Sequence, residues 1–221
     1  MIRTGNRSNA RVRRRAVTHQ ASSSRAIARA VSVLRKGGLV AFPTDTLYAL
    51  GADASNPLAV SRIFTAKGRS PANPVPLLIA DLAMAIRLVG ELPEAAVRLA
   101  ERYWPGPLTL VVPAPASICG LLTAGTGRIG LRAPNAAVAL ALIREFGGPV
   151  TGTSANRSGA QDPLDAHEVL RQLENRVDFV LDGGRLAAGR PSTVVDVTVS
   201  PPTIVRQGPV PKEEIFRLLD L

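Results

Sequence analysis

Cys119 is the only cysteine, so no disulfide can form within the chain, and a reducing, cytoplasmic setting is expected. The only two histidines, His19 and His167, leave too few soft ligands for a structural zinc site. No apolar run approaches the roughly 18 residues of a membrane span. The basic N-terminus is not followed by the apolar stretch of a secretory signal. Neither GxGxxG nor GxxxxGK(S/T) occurs, so nothing supports a dinucleotide fold or a P-loop. Lysine is scarce as well, three residues (Lys36, Lys67, Lys212) against 24 arginines.

What remains is ordinary for a globular α/β domain. Hydrophobic residues make up 46% and charged residues 20% of the 221 positions. A chain of this length buries roughly 70% of its unfolded surface and needs no staple. Gly and Pro together number 37, which predicts many sharp connections. The net charge of +10 is uneven: residues 1–29 hold eight arginines and no acid, which leaves +2 for the other 192 residues. Residues 1–22 read as a basic, disordered arm and 23–221 as one domain. An RNA-touching tail, an organelle transit peptide and an inert extension all fit the arm.

Ile27, Ala30, Val31 and Leu34 recur at helical spacing over 24–36, with Ser24 as a candidate N-cap and Gly37-Gly38 as a stop. Leu39–Phe42 reads as a buried strand running into a loop. Residues 57–66 read as a short helix, 76–80 as a strand, and 81–89 and 93–102 as helices. Further strands are expected at 107–113, 128–134, 148–154, 178–182, 192–198 and 203–208, with helices at 135–146, 165–174 and 212–219. This alternation predicts a twisted, open mixed sheet flanked by helices, with a basic concave ligand cleft.

Polar residues gather where strands end. Thr44, Asp45 and Thr46 follow the strand at 39–42; Thr153, Ser154 and Asn156 follow another; Ser192 opens a third and Arg206 closes a fourth. Arg128 and Arg132 lie four apart in RIGLRAPN. In open α/β sheets ligands sit beyond strand ends. AKGRSPANPVP (66–76) places Lys67 and Arg69 in an acid-free, proline-rich loop. Singly, each residue has a plainer role: Ser and Thr cap turns, Asp45 closes an Asx-turn, Arg132 suits a solvated surface. Together, hydroxyls, amides and cations suit anion binding and phosphoryl or nucleotidyl transfer better than acid–base catalysis.

FPTDTLYALG, KGRSPANP, YWPGPLT, GLRAPN, TSANRSG, LDGG, STVVD and VRQG occur in this order. Over about 24–210 the chain resembles the YrdC-type threonylcarbamoyl-AMP synthases, in their short, single-domain form. The resemblance implies synthesis of threonylcarbamoyl-AMP and pyrophosphate from L-threonine, bicarbonate and ATP with Mg²⁺, for a downstream transferase that modifies an adenosine beside the tRNA anticodon. It also implies roles. Lys67 and Arg69 would face the triphosphate and the reacting carboxylate. Thr46, Arg132 and Ser192 would bind threonine, Arg132 through its carboxylate. Asn73, Arg128, Ser154, Asn156 and Arg206 would join Arg69 around the nucleotide. No protein metal ligand is assigned. Two departures stand out: Leu78 or its neighbour occupies the place of a family histidine, and Arg128 that of a Thr or Ser.

An RNA-binding module with weak or no synthesis, for tRNA or double-stranded RNA, fits the same fold. A carbamoyl-transfer domain from hydrogenase maturation shares it too, but zinc-binding and acylphosphatase-like segments are lacking here.

Overall fold

The computed structural model describes residues 17–21, 23–187 and 189–221. The helical spacing after Ser23 becomes α1 (Ser24–Arg35), which buries Ala26, Ile27, Ala30, Val31 and Leu34. Ser23, not Ser24, holds the N-cap position, and its side chain makes no capping bond. Beyond it, β2 (Val40–Pro43) is buried along its whole length. Val40 and Phe42 pack with α1, while Leu39 and Ala41 face a second cluster with Ile63, Val169 and Leu173. A strand covered on both faces reads as a continuous apolar run, which is why this one was legible.

β2 turns into β3 (Tyr48–Gly51) through the four residues Thr44–Leu47. The expected loop is therefore a hairpin. Its tip is fixed by one hydroxyl: Thr44 Oγ1 donates to Leu47 O at 2.7 Å and accepts from the Thr46 and Leu47 amides at 3.2 Å.

α2 (Pro57–Lys67) opens with Asn56, whose Oδ1 accepts from the amides of Leu58 and Ala59, and with Pro57 in its first turn. It ends at Gly68, where φ is 62°. Lys67 is thus the last helical residue, and the irregular loop begins only at Gly68.

The strands divide between two mixed sheets rather than one. Five strands lie in the order β1 (Val17–Gln20), β9 (Phe179–Asp182), β2, β3, β8 (Thr153–Ser154). Six lie in the order β11 (Thr203–Arg206), β10 (Thr193–Asp196), β5 (Leu108–Pro113), β6 (Arg128–Arg132), β4 (Leu77–Leu78), β7 (Val150–Thr151). The segment 148–154 is split: β7 belongs to one sheet and β8 to the other. The chain crosses at Gly152, where a Cβ would stand 2.5 Å from Leu78 Cγ. From sequence, a lone Gly inside an apolar run looks like a bulge, so the switch was hidden.

β1 lies within the span read as an arm and pairs in parallel with β9. Residues 1–16 and 22 of that span lie outside the described residues. Helices α3 (Leu82–Val89), α4 (Glu94–Tyr103), α6 (Ala137–Phe146), α7 (Ala166–Leu173) and α8 (Lys212–Leu218) stand near their expected places, and a short α5 (Gly120–Thr123) is added. Among the described residues no helix is long and apolar enough to cross a membrane.

Candidate functional site

Three polar clusters form where the two sheets present strand ends. The first centres on Arg132, at the end of β6 and only 7% exposed. Its Nε donates to Gly106 O at 3.0 Å and its Nη1 to Thr46 Oγ1 at 2.9 Å, while Nη2 pairs with Asp45. The hairpin tip of the five-stranded sheet thereby meets a strand of the six-stranded one. Gly106 belongs to the YWPGP turn, in which Trp104 Nε1 donates to Leu108 O at 2.7 Å. A Cβ on Gly106 would stand 2.3 Å from Tyr103 O, so only glycine fits. Burial works against the Arg132 charge and Asp45 supports it. Among the described residues the second oxygen of Asp45, Oδ2, is buried without a hydrogen-bond partner.

The second cluster centres on Lys67, 3% exposed. Its ammonium donates to Ser154 O at 2.5 Å, Asn156 O at 2.8 Å and Asn156 Oδ1 at 2.8 Å. An ammonium has three N–H groups, so all are engaged within the chain. Ser154 Oγ also donates to Asn156 Oδ1 at 2.7 Å, and Asn156 Nδ2 donates to Ala160 O and to Asp162 Oδ1 at 3.2 Å. Burial, reinforced by Arg69, pushes Lys67 down to about 8, while Asp162 acts the other way. Arg69 turns back on its own loop: Nη2 donates to Pro74 O at 2.9 Å and Nε to Asn73 O at 3.3 Å. Asn73 itself is exposed.

The third cluster joins Ser192 and Arg206. Arg206 Nε donates to Ser192 O at 3.1 Å and Nη2 to Ser192 Oγ at 3.2 Å; Ser192 Oγ lies 2.8 Å from Thr109 Oγ1. Burial lowers the Arg206 pKa and the charge of Asp162 raises it. Asp162 thus acts on both Lys67 and Arg206, and the Arg206 charge reaches Arg132. The clusters form one electrostatic neighbourhood.

Nine of the ten expected site residues fall within these clusters or the loop beside them. Arg128 does not. It sits at the opposite end of β6, paired with Asp196 Oδ2 at 2.8 Å, its side chain 46% exposed. Four residues of strand put it about 13 Å along the backbone from Arg132. Arg128 therefore stands apart from the clustered residues, held by Asp196. Gly106 and Thr109 were missed because their partners lie far away in sequence, and Asp162 because its charge acts on Lys67 and Arg206 across the fold, although its hydrogen bond is to nearby Asn156. Asp45 was noticed only as a turn former.

Paired sheets that present arginines and hydroxyls at their strand ends, with a buried lysine beside them, define an α/β domain with a polar, cation-bearing candidate site. The chain belongs to the Sua5/YciO/YrdC family, whose model, described as telomere recombination, matches residues 32–208. Threonylcarbamoyl-AMP synthase of Pyrococcus abyssi is 42% identical over 190 residues, covering 86% of this chain and 56% of that protein. The enzyme of the same name from Bacillus subtilis is 43% identical over 190 residues, covering 86% and 55%. The chain thus spans just over half the length of these two relatives. The structure of P. abyssi Sua5 complexed with L-threonine superposes with a TM-score of 0.87 at 40% identity, covering 92% of this chain and 59% of that one.

Proposed function

We propose that the chain is an L-threonylcarbamoyladenylate synthase, a nucleotidyltransferase that joins L-threonine, bicarbonate and ATP and serves a downstream tRNA threonylcarbamoyl transferase. One observation carries the reading: Arg132 and Thr46, contributed by different sheets, meet within the electrostatic reach of Arg206 and, through Asp162, of Lys67. The family relationship and the threonine-bound relative support it.

In this reading a cleft between the sheets takes threonine beside Arg132, whose remaining N–H groups hold the carboxylate. Thr46 and Ser192 read the side-chain hydroxyl. Bicarbonate carbamoylates the amine with loss of water. A carbamate oxygen then attacks the α-phosphorus of ATP, the bond to the β-phosphate breaks, and pyrophosphate leaves. Arg69, Arg206 and Lys67 stabilise charge growing on the phosphates. Lys67 does so through space and through the 154–156 turn it holds, because its three N–H groups are already used. Among the described residues no three carboxylate, imidazole or thiolate groups converge to bind a metal. Mg²⁺ held mainly by substrate phosphates would need no such cage.

The test is incubation with ATP, threonine and bicarbonate, with the adenylate read by mass spectrometry and pyrophosphate by a coupled assay. Both products should require all three substrates. Tight tRNA binding with no adenylate would replace this reading with that of a binding module.

A further inference from the structure

The tip of the β2–β3 hairpin leaves one group unaccounted for. Thr44 Oγ1 closes the turn by itself, donating to Leu47 O and accepting from the Thr46 and Leu47 amides. Asp45, in the middle of that turn, takes no part in closing it. Among the described residues its only hydrogen bond is the one that Oδ1 accepts from Arg132 Nη2. Among the same residues, Asp45 Oδ2 is the one buried side-chain nitrogen or oxygen without a partner. The other buried polar side chains of the site, Thr46, Lys67, Asn156 and Ser192, are all bonded.

Such an orphan is costly, because a buried carboxylate oxygen has given up its hydration and gained nothing in return. Joining the two sheets does not require it, since the pair with Arg132 uses Oδ1 alone. A bare anionic oxygen calls for a cationic donor from outside the chain. In the proposed reaction the ligand beside Arg132 is an α-amino acid, whose ammonium sits on the carbon next to the carboxylate. With the carboxylate on Arg132, the ammonium falls beside the acid that shares the same guanidinium. The Asp45 side chain is 14% exposed and a carboxylate torsion is soft. A modest rotation therefore turns one oxygen to the cleft while the other stays on Nη2.

We propose that Asp45 reads the α-amino group of the amino-acid substrate, one carboxylate oxygen accepting its N–H while the other stays on Arg132. The identity of the ligand rests on the synthase role proposed above. Arg132 and Asp45 then form a paired receptor for a zwitterion, cation to carboxylate and anion to ammonium. The bond outlasts carbamoylation, because a carbamate nitrogen keeps one N–H. The pair also rejects simple carboxylic and hydroxy acids, which Arg132 alone would admit. These would set their own negative carboxylate beside an unanswered Asp45.

The test is calorimetric binding of three ligands to the full chain at pH 7: threonine, 2-aminobutyrate, which lacks the hydroxyl, and 3-hydroxybutyrate, which lacks the amine. The wild type should bind 3-hydroxybutyrate about tenfold or more weakly than threonine. Asp45→Asn keeps the shape and an acceptor for Arg132 but removes the charge. It should weaken threonine and 2-aminobutyrate alike, by about 10–100-fold, and leave 3-hydroxybutyrate within about threefold of its wild-type affinity or tighter. A residue that only held the sheets together would lower the melting temperature and all three affinities in parallel. That parallel loss overturns the proposal, and so does unchanged threonine binding. A loss confined to the two hydroxyl-bearing ligands overturns it too, by assigning the oxygen to the substrate side chain. If Asp45→Asn does not fold, the wild type decides, and 3-hydroxybutyrate bound as tightly as threonine overturns the proposal. Adenylate formation by the wild type is measured in parallel. Its absence, with the three ligands behaving as stated, would remove the synthase reading and leave the amine site standing; its presence with a parallel loss in Asp45→Asn would remove only the role of Asp45.

Discussion

Lys67 changes character between sequence and structure. As a loop residue it would be dispensable to the fold. As a buried helix terminus it satisfies three oxygens of the turn after β8. Lys67→Ala strands those acceptors at about 1–3 kcal/mol each, so it should lower thermal stability as well as synthesis. A pKa of about 8 in the fold against about 10.5 in the unfolded chain gives the sign of the pH effect. Between these values the unfolded state binds more protons, so this group's contribution to stability rises with pH, by about 3 kcal/mol in all, as the cost of burying its charge is relieved. Binding runs the opposite way: ATP should bind more weakly as pH climbs past about 8 and the positive charge is lost. Calorimetric titration with ATP from pH 6.5 to 9.5 should show this weakening in the wild type and a flat, weaker profile in Lys67→Met. A flat wild-type profile would take Lys67 out of phosphate recognition. Arg128 supplies the contrast. Paired with Asp196 at the far end of β6, it should be replaceable by Ala with synthesis within twofold of wild type, at a stability cost of about 1 kcal/mol, since Arg128 is partly exposed and the buried Asp196 keeps its bonds from Thr198.

At the level of elements, the sequence was most legible where one period ruled a whole segment. α1, α4 and α7 each carry a single apolar stripe, and β2 and β9 are short apolar runs bounded by turns. Legibility failed where a segment served two partners. The run 148–154 feeds both sheets across Gly152, and β3 is buried from Tyr48 to Gly51 without the alternation that marks a half-exposed strand. Lys67 was assigned to a loop because Gly68 and the prolines beyond it outweighed the last helical turn. Of the site, the hydroxyls and cations at strand ends were readable, but Asp162 and Gly106 were not, since their meaning lies in contacts made across the fold. Gly152 offers a test of the sheet crossing. Gly152→Ala would drive a methyl into Leu78, at 2.5 Å from Cγ. Overpacking of this kind typically costs about 1–3 kcal/mol. Chemical denaturation should find that loss, and Leu78→Val in the same chain should recover part of it. A neutral Gly152→Ala would mean that the strands beside the crossing shift freely.

For the whole molecule, the meeting of two sheets sets what the site can distinguish. Arg132 comes from the six-stranded sheet, and Thr46 and Asp45 from the hairpin of the five-stranded one. Ser192 is held by Arg206 in the six-stranded sheet. On the proposed function, a substrate gripped by both sheets would be read at its carboxylate and its side chain at once. Serine keeps the hydroxyl and lacks the methyl, a loss of about 1–3 kcal/mol, so it should react at roughly a tenth to a two-hundredth of the threonine rate. Valine keeps the shape and lacks the hydroxyl. Thr46 is 3% and Ser192 4% exposed, and both hydroxyls already bond within the chain, so valine forfeits a hydrogen bond and sets a methyl against buried polar groups; it should fare worse than serine. Arg132→Lys should lower all three rates, because one ammonium cannot hold Gly106 O, Thr46 and Asp45 and still clamp a carboxylate at two points. The measurement is kcat/KM for threonine, serine and valine on the wild type and on Arg132→Lys. Equal use of the three amino acids would show that the side chain is not read between the sheets. An unaffected Arg132→Lys would place the carboxylate elsewhere, with Arg206 the next cation to test.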